Sequence, residues 1–291
     1  MASLVDLRRR LRSVKNTQQI TRAMKMVAAA KLRRAQDRAI AARPYAKALR
    51  EVLASVSARV RQARHPLLAS REERRVALLV VAGDKGLAGA FNANVHRAVA
   101  TTLAEKSQWQ EVVILPIGKK ALDFWKRRGR PMAPKAYPGI FARVEYAHAK
   151  EIAAYLAQEF IEERIDAAYS ISNEFKSVMA QVVRVEKILP ISRGEVSVAQ
   201  APKSEALEYI YEPDPETILA SLLPRHLQFV IFKILLESAA AEHAARMTAM
   251  DSATKNAGDM IDTLTLNYNR ARQARITKEL IEIVSGAAGL E

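Results

Sequence analysis

The chain has 291 residues, enough for one large domain or two ordinary ones, and only 6% are aromatic, so ring packing cannot dominate a core. It contains no cysteine, which excludes disulfides, thiolate metal sites and a cysteine nucleophile. The formal net charge is +15, and no run of about 18 uncharged apolar residues offers a membrane span.

Residues 1–60 hold 15 Lys or Arg against Asp6, Asp37 and Glu51, a net charge of +12. Such a segment suits nucleic acid, anionic lipid or an acidic protein surface. An Arg-rich, acid-poor start also resembles an organelle transit peptide. Against that, a helical pattern runs unbroken from Leu4 to Val60. Steps of three and four trace one seam: Leu4, Leu7, Leu11, Val14, Gln18, Thr21, Lys25, Ala28, Leu32, Ala35, Ala39, Ala42, Ala46, Leu49, Leu53, Val56 and Val60. It is polar only at Gln18, Thr21 and Lys25, where apolar residues shift to Ile20, Met24 and Val27 and are expected to keep a coil closed. Pro44 is expected to kink the helix.

A different texture follows. "VALLVVA" (76–82) and "VVILPI" (112–117) are short apolar runs, each leading into a helix-like segment, and "AAYSIS" (167–172) follows a helical stretch at 148–164. This β-α-β-α-β order predicts a mostly parallel sheet. "VMAQVVRVEKILPI" (178–191) and "EYIY" (208–211) read as later, antiparallel strands, and 192–205 as a loop. The glycines of "AGDKGLAGAFNAN" (82–94) follow neither dinucleotide-binding nor P-loop spacing. They read as a turn that brings helix and sheet together rather than as a nucleotide site.

In the last third, Leu236, Ala240, His243, Met247, Met250, Thr254, Ala257, Ile261, Leu264, Tyr268 and Ala271 form a second seam. It stops at Ala271, although helical composition continues to Gly286. Heptads at both ends predict an antiparallel pair flanking one α/β domain, with segments at 1–60, 61–213 and 214–291. At 1.5 Å per residue the helices would span roughly 80 and 110 Å, so the second overshoots by about twenty residues, where its seam ends. Facing residue numbers should then sum to about 275. The unpaired, weakly apolar end "IVSGAAGL" (283–290) needs a partner that encloses it.

The five histidines lack metal-ligand spacing, and no catalytic constellation stands out. Catalytic, cofactor-binding and metal residues are all expected to be absent.

"NTQQITRAMKMVAAAKLRRAQ" (16–36) and "ESAAAEHAARMTAMDSATKNAGDMIDTLTLNYNRARQARITKELIEIVSGAA" (237–288) resemble the gamma subunit of bacterial F-type ATP synthase. "ALLVVAGDKGLAGAFNANV" and "EYIYEPDPE" resemble its central domain, so the likeness covers nearly the whole chain. It implies a coiled coil of the two ends with a central Rossmann-like α/β domain, acting as a rotor stalk. The stalk would stand, in one copy, inside a hexamer of alpha and beta subunits, its foot resting with the epsilon subunit on the membrane c ring. Proton flow would turn it to drive ATP synthesis, or ATP hydrolysis would pump protons in reverse. Nucleotides and Mg²⁺ would bind the partner subunits, and this chain no cofactor. The location implied is the cytoplasmic side of the bacterial inner membrane, peripherally, without a span and without nucleic acid.

By residue, the resemblance puts Arg272 and Gln273 at a catch loop of the catalytic subunit and Met24 and Lys25 facing its torque lever. Arg246, Thr277, Glu279 and Glu282 match positions coupled to that site, and Tyr209 and Glu212 match the foot near the c ring. Departures are Ala88 and Ala90, where the family more often has Cys and Gly, and Pro224 early in the last helix. Two readings from other classes remain open at this point: a nucleic-acid-binding coil, whose affinity would fall steeply with salt, and an enzyme built on the α/β domain.

Overall fold

A computed structural model describes residues 4–59, 65–192, 212 and 214–288. The fold is α/β plus long helices. Helix α1 runs Leu4–Arg59 and α5 runs Pro215–Ala288, and each continues through an internal proline, Pro44 and Pro224. Between them lie β1 (Arg75–Val81), α2 (Phe91–Glu105), β2 (Glu111–Ile117), α3 (Lys119–Arg127), α4 (Tyr146–Ile161), β3 (Ala167–Phe175) and β4 (Gln181–Leu189). Asp214 starts α5 as a cap: its Oδ1 accepts from the amides of Glu216 and Thr217, both at 2.9 Å. Pro215 follows at the first helical position, where no amide is missed.

The sheet order is β2-β1-β3-β4, with β1 parallel to both neighbours and β4 antiparallel to β3. The antiparallel strand expected within 178–191 is β4. The strand expected at 208–211, the loop at 193–205 and Tyr209 lie outside the described residues, as do the segment boundaries at residues 60/61 and 213. The chain divides into two compact units, Met1–Ala28 with Arg246–Glu291, and Ala29–Ala245.

The sheet organises the Ala29–Ala245 unit. Strand β1 is buried on both faces, as a central parallel strand flanked by helices must be. On one face Val76, Leu78 and Val80 pack with Val95 and Val99 of α2 and Trp125 of α3. On the other, Ala77, Leu79 and Val81 meet α4 together with the roots of both long helices. Leu49, Leu53 and Val56 of α1 join Leu219, Leu223 and Leu227 of α5 in that cluster. Over an 18-residue window α5 reaches a mean hydropathy of 1.5, enough by composition to cross a bilayer. Its Ile231, Ile234 and Leu235 are instead buried in this core.

His96 of α2 stacks on Phe124 at 3.8 Å between centroids and meets Trp125 edge-on. Burial, then the Arg128 charge, pushes its pKa down to about 4. The unfolded chain therefore binds a proton that the fold refuses. This contribution to stability is complete above about pH 6.5 and is lost as pH falls towards 4. Allowing for solvent screening, wild type should lose about 1–2 kcal/mol more than His96→Gln over that window. Urea unfolding at pH 7 and pH 4.5 would measure it.

Candidate functional site on the terminal helices

The first seam is observed as expected: every described residue from Leu4 to Val56 on it is buried or half-buried. The second keeps its cover to Ala271, and from Arg272 to Ser285 every side chain is exposed. Cover on α5 thus ends at Ala271, where the second seam stops.

One expectation is corrected. Ile20 and Val27 do not close the coil; they are 60% and 56% exposed, and only Met24 is half-covered. Gln18, Thr21 and Lys25 stay in the seam because α5 supplies each with a polar partner. Lys25 Nζ donates to Asp251 Oδ1 at 2.6 Å. Thr254 donates its hydroxyl to Thr21 Oγ1 at 2.8 Å, and Thr21 donates onward to the Gln18 carbonyl at 3.0 Å. Gln18 Nε2 closes the loop by reaching the Thr254 carbonyl at 3.5 Å. Gly258 leaves the room: a Cβ there would stand 3.3 Å from Gln18 Nε2. The Lys25 hydrogen bond, with Lys255 adding its own, holds the Asp251 carboxyl below the usual carboxylate range. The pairs 25/251 and 21/254 sum to 276 and 275, against the expected 275 or so.

The other residues of interest fall in two places. Arg246 is half-buried at the start of the α5 portion of this unit. Arg272, Gln273, Thr277, Glu279 and Glu282 lie on the exposed end of α5, where Arg275 pairs with Glu279 at 2.7 Å and Lys278 with Glu282 at 3.5 Å. Ile276, Leu280, Ile281, Ile283 and Val284 are exposed among them. The α1 surface is basic, with Arg8, Arg12, Lys15 and Arg22 all exposed. Glu212 is exposed ahead of α5. Asp251 and Thr254 were not singled out in the sequence as site residues. The summation rule, which sets Lys25 opposite residue 250, was the signal that could have found Asp251.

The glycine-rich loop is a turn that its own side chains fill. Asp84 Oδ1 accepts from the amides of Lys119, at the α3 N-terminus, and Gly139 (2.8 and 2.7 Å), while Oδ2 accepts from Phe141 at 3.1 Å. A phosphate would seek such amides; here a carboxylate already occupies them. Asn92 Oδ1 accepts from the Gly83 amide at 2.9 Å. A Cβ at Gly83 would fall 2.7 Å from the carboxyl carbon of buried Glu242, so glycine lets loop and helix meet. Among the described residues no three His, Asp or Glu gather as a metal site.

A family model described as ATP synthase matches residues 3–290. The ATP synthase gamma chain of Solibacter usitatus is 51% identical over 295 aligned residues, and that of Chlorobaculum parvum 48% over 296, each alignment covering all of both chains. Among solved structures, a chain of the Euglena gracilis mitochondrial ATP synthase rotor superposes with a TM-score of 0.65 at 19% identity, covering 94% of this chain and 98% of that one. A chain of the Tetrahymena thermophila mitochondrial central stalk and c-ring structure gives 0.59 at 24% identity, covering 80% and 99%. These two likenesses show the shared fold.

Proposed function

We propose, from the premise that this chain belongs to the ATP synthase gamma chain family, that it is the central rotor stalk of a proton-translocating F-type ATP synthase. The exposed end of α5 carries this reading: five large aliphatic side chains stand in solvent beyond the end of its seam. Such a surface calls for an enclosing sleeve, and a hexamer of alpha and beta subunits supplies one.

In this reading the unit built on the sheet is the foot, standing with the epsilon subunit on the c ring, a contact to which the family resemblance assigns Glu212 and Tyr209. Rotation of the ring turns the foot, both helices rooted in its core turn with it, and the basic α1 surface sweeps past acidic levers of the catalytic subunits. Exposed ion pairs there contribute about 0–1 kcal/mol each, so they form and break as the shaft moves. Arg272 and Gln273 meet the catch loop at the top. The chain has no catalytic role of its own: nucleotide and Mg²⁺ bind the neighbours, and it binds no cofactor or nucleic acid. This chain lies peripherally, on the cytoplasmic side of the bacterial inner membrane.

The test is purification of the tagged full-length chain from its native membranes. The expected result is one copy eluting with three copies each of two nucleotide-binding subunits, and ATP-driven proton pumping in the recovered vesicles. A chain that elutes without nucleotide-binding subunits, or in several copies per complex, would overturn the proposal.

A further inference from the structure

We propose that the polar layer of Gln18, Thr21, Lys25, Asp251 and Thr254 is a pin that fixes the axial and rotational setting of α1 against α5, making these five positioning residues for torque transfer. The inference rests on the stalk reading and adds to it a mechanical role for named side chains.

Apolar seam contacts are non-directional: one alanine or leucine surface can roll over another with little change in buried area. The seams around this layer are of that kind, with Leu7, Leu11, Val14 and Ala28 on α1 and Met250 and Ala257 on α5. Hydrogen bonds are directional and fail beyond a few tenths of an ångström or a few tens of degrees. The layer places four of them across or along the seam within two helical turns, and three link Thr254 to Thr21, Thr21 to the Gln18 carbonyl, and the Gln18 amide back to the Thr254 carbonyl. The Lys25–Asp251 bond lies one turn further along α1. A polar residue at a seam position lowers coil stability in exchange for a single register. Here Ile20 and Val27, apolar and immediately adjacent, are left in solvent while the polar set takes the seam. A helix pair arranged for stability alone would rotate by part of a turn and bury them. Gly258 opposite Gln18 removes the side chain that would block the close approach.

Because the chain lacks cysteine, two introduced thiols report distances without background. Nitroxide labels at Arg10→Cys and Thr265→Cys, exposed positions on the far side of the pin from the sheet-bearing unit in sequence, give the interhelix distance distribution by pulsed electron resonance. In the full-length chain, Lys25→Glu and Thr21→Val/Thr254→Val should each widen that distribution at least twofold. The charge swap Lys25→Glu/Asp251→Lys should restore the native width and, in membrane vesicles, the native ratio of protons pumped to ATP hydrolysed. Unchanged width in both disrupting variants would overturn the pin. So would a swap that recovers neither width nor coupling, since Lys25 would then act on something outside its own chain. The width is read whether or not the chain co-purifies with nucleotide-binding subunits, so this test and that of the stalk reading fail separately.

Discussion

Gly118→Ala should leave the sheet-bearing unit without a stable fold. Gly118 joins β2 to α3 at φ +87°, a backbone setting that strains any residue with a Cβ, and it does so against main chain. An added Cβ would stand 2.0 Å from the Ala82 carbonyl oxygen and 3.0 Å from its carbon. Neither side can yield. The Ala82 amide donates to Ile117, the Gly118 amide to Tyr137 and the Lys120 amide to Gly83, so the ends of β1 and β2 are laced by backbone bonds of 2.9–3.0 Å. The expected cost exceeds about 4 kcal/mol, a large share of the ~5–15 kcal/mol by which domains are stable. Soluble yield and the urea midpoint would report it. Gly86→Ala, four turn residues before the helix and with nothing within 4 Å of its Cβ, should stay within about 0.5 kcal/mol of wild type.

Leu53→Ala should be the most damaging single truncation on α1. Leu53 is 1% exposed and sits with Val56, Leu223 and Leu227 where both long helices enter the core beneath the sheet. Removing its isobutyl group loses transfer free energy and leaves a cavity that a rigid helix crossing cannot collapse, for about 3–4 kcal/mol. If the chain is a shaft, this is also where torque passes from foot to helix. Proton-driven ATP synthesis should therefore fall at temperatures where the complex is still assembled. Leu266→Ala, 60% exposed on α5, should change unfolding by no more than about 0.5 kcal/mol. Thermal unfolding of the two variants side by side would decide.

Long-period features were legible in the sequence. A seam in steps of three and four at each end of the chain is best met by an amphipathic helix pair, and the end of cover at Ala271 followed from the end of the second seam together with the difference in helix length. The βαβ order gave the parallel core of the sheet, and the apolar-rich stretch at 178–191 gave the antiparallel β4. What misled was the expectation that Ile20, Met24 and Val27 take over the seam where it turns polar. Apolarity patterns register Gln18, Thr21 and Lys25 as defects; they carry no information that Thr254 and Asp251 answer them from 230 or so residues away. The Asp84 turn was hidden for a similar reason. One carboxylate gathering three backbone amides from two separate loops has no period, and only the fold brings Lys119, Gly139 and Phe141 to it.

The bare final turns of α5 also bear on how such a chain must be produced. A helix with Ile276, Leu280, Ile283 and Val284 in water, steadied among the described residues by two weak i,i+4 ion pairs, is a poor free species. Copies made in excess of their housing would be cleared by proteolysis or would clump through those aliphatic ends. Synthesis of this polypeptide is therefore expected to be matched in amount to that of whatever encloses it, so that each new tip is sheathed soon after leaving the ribosome.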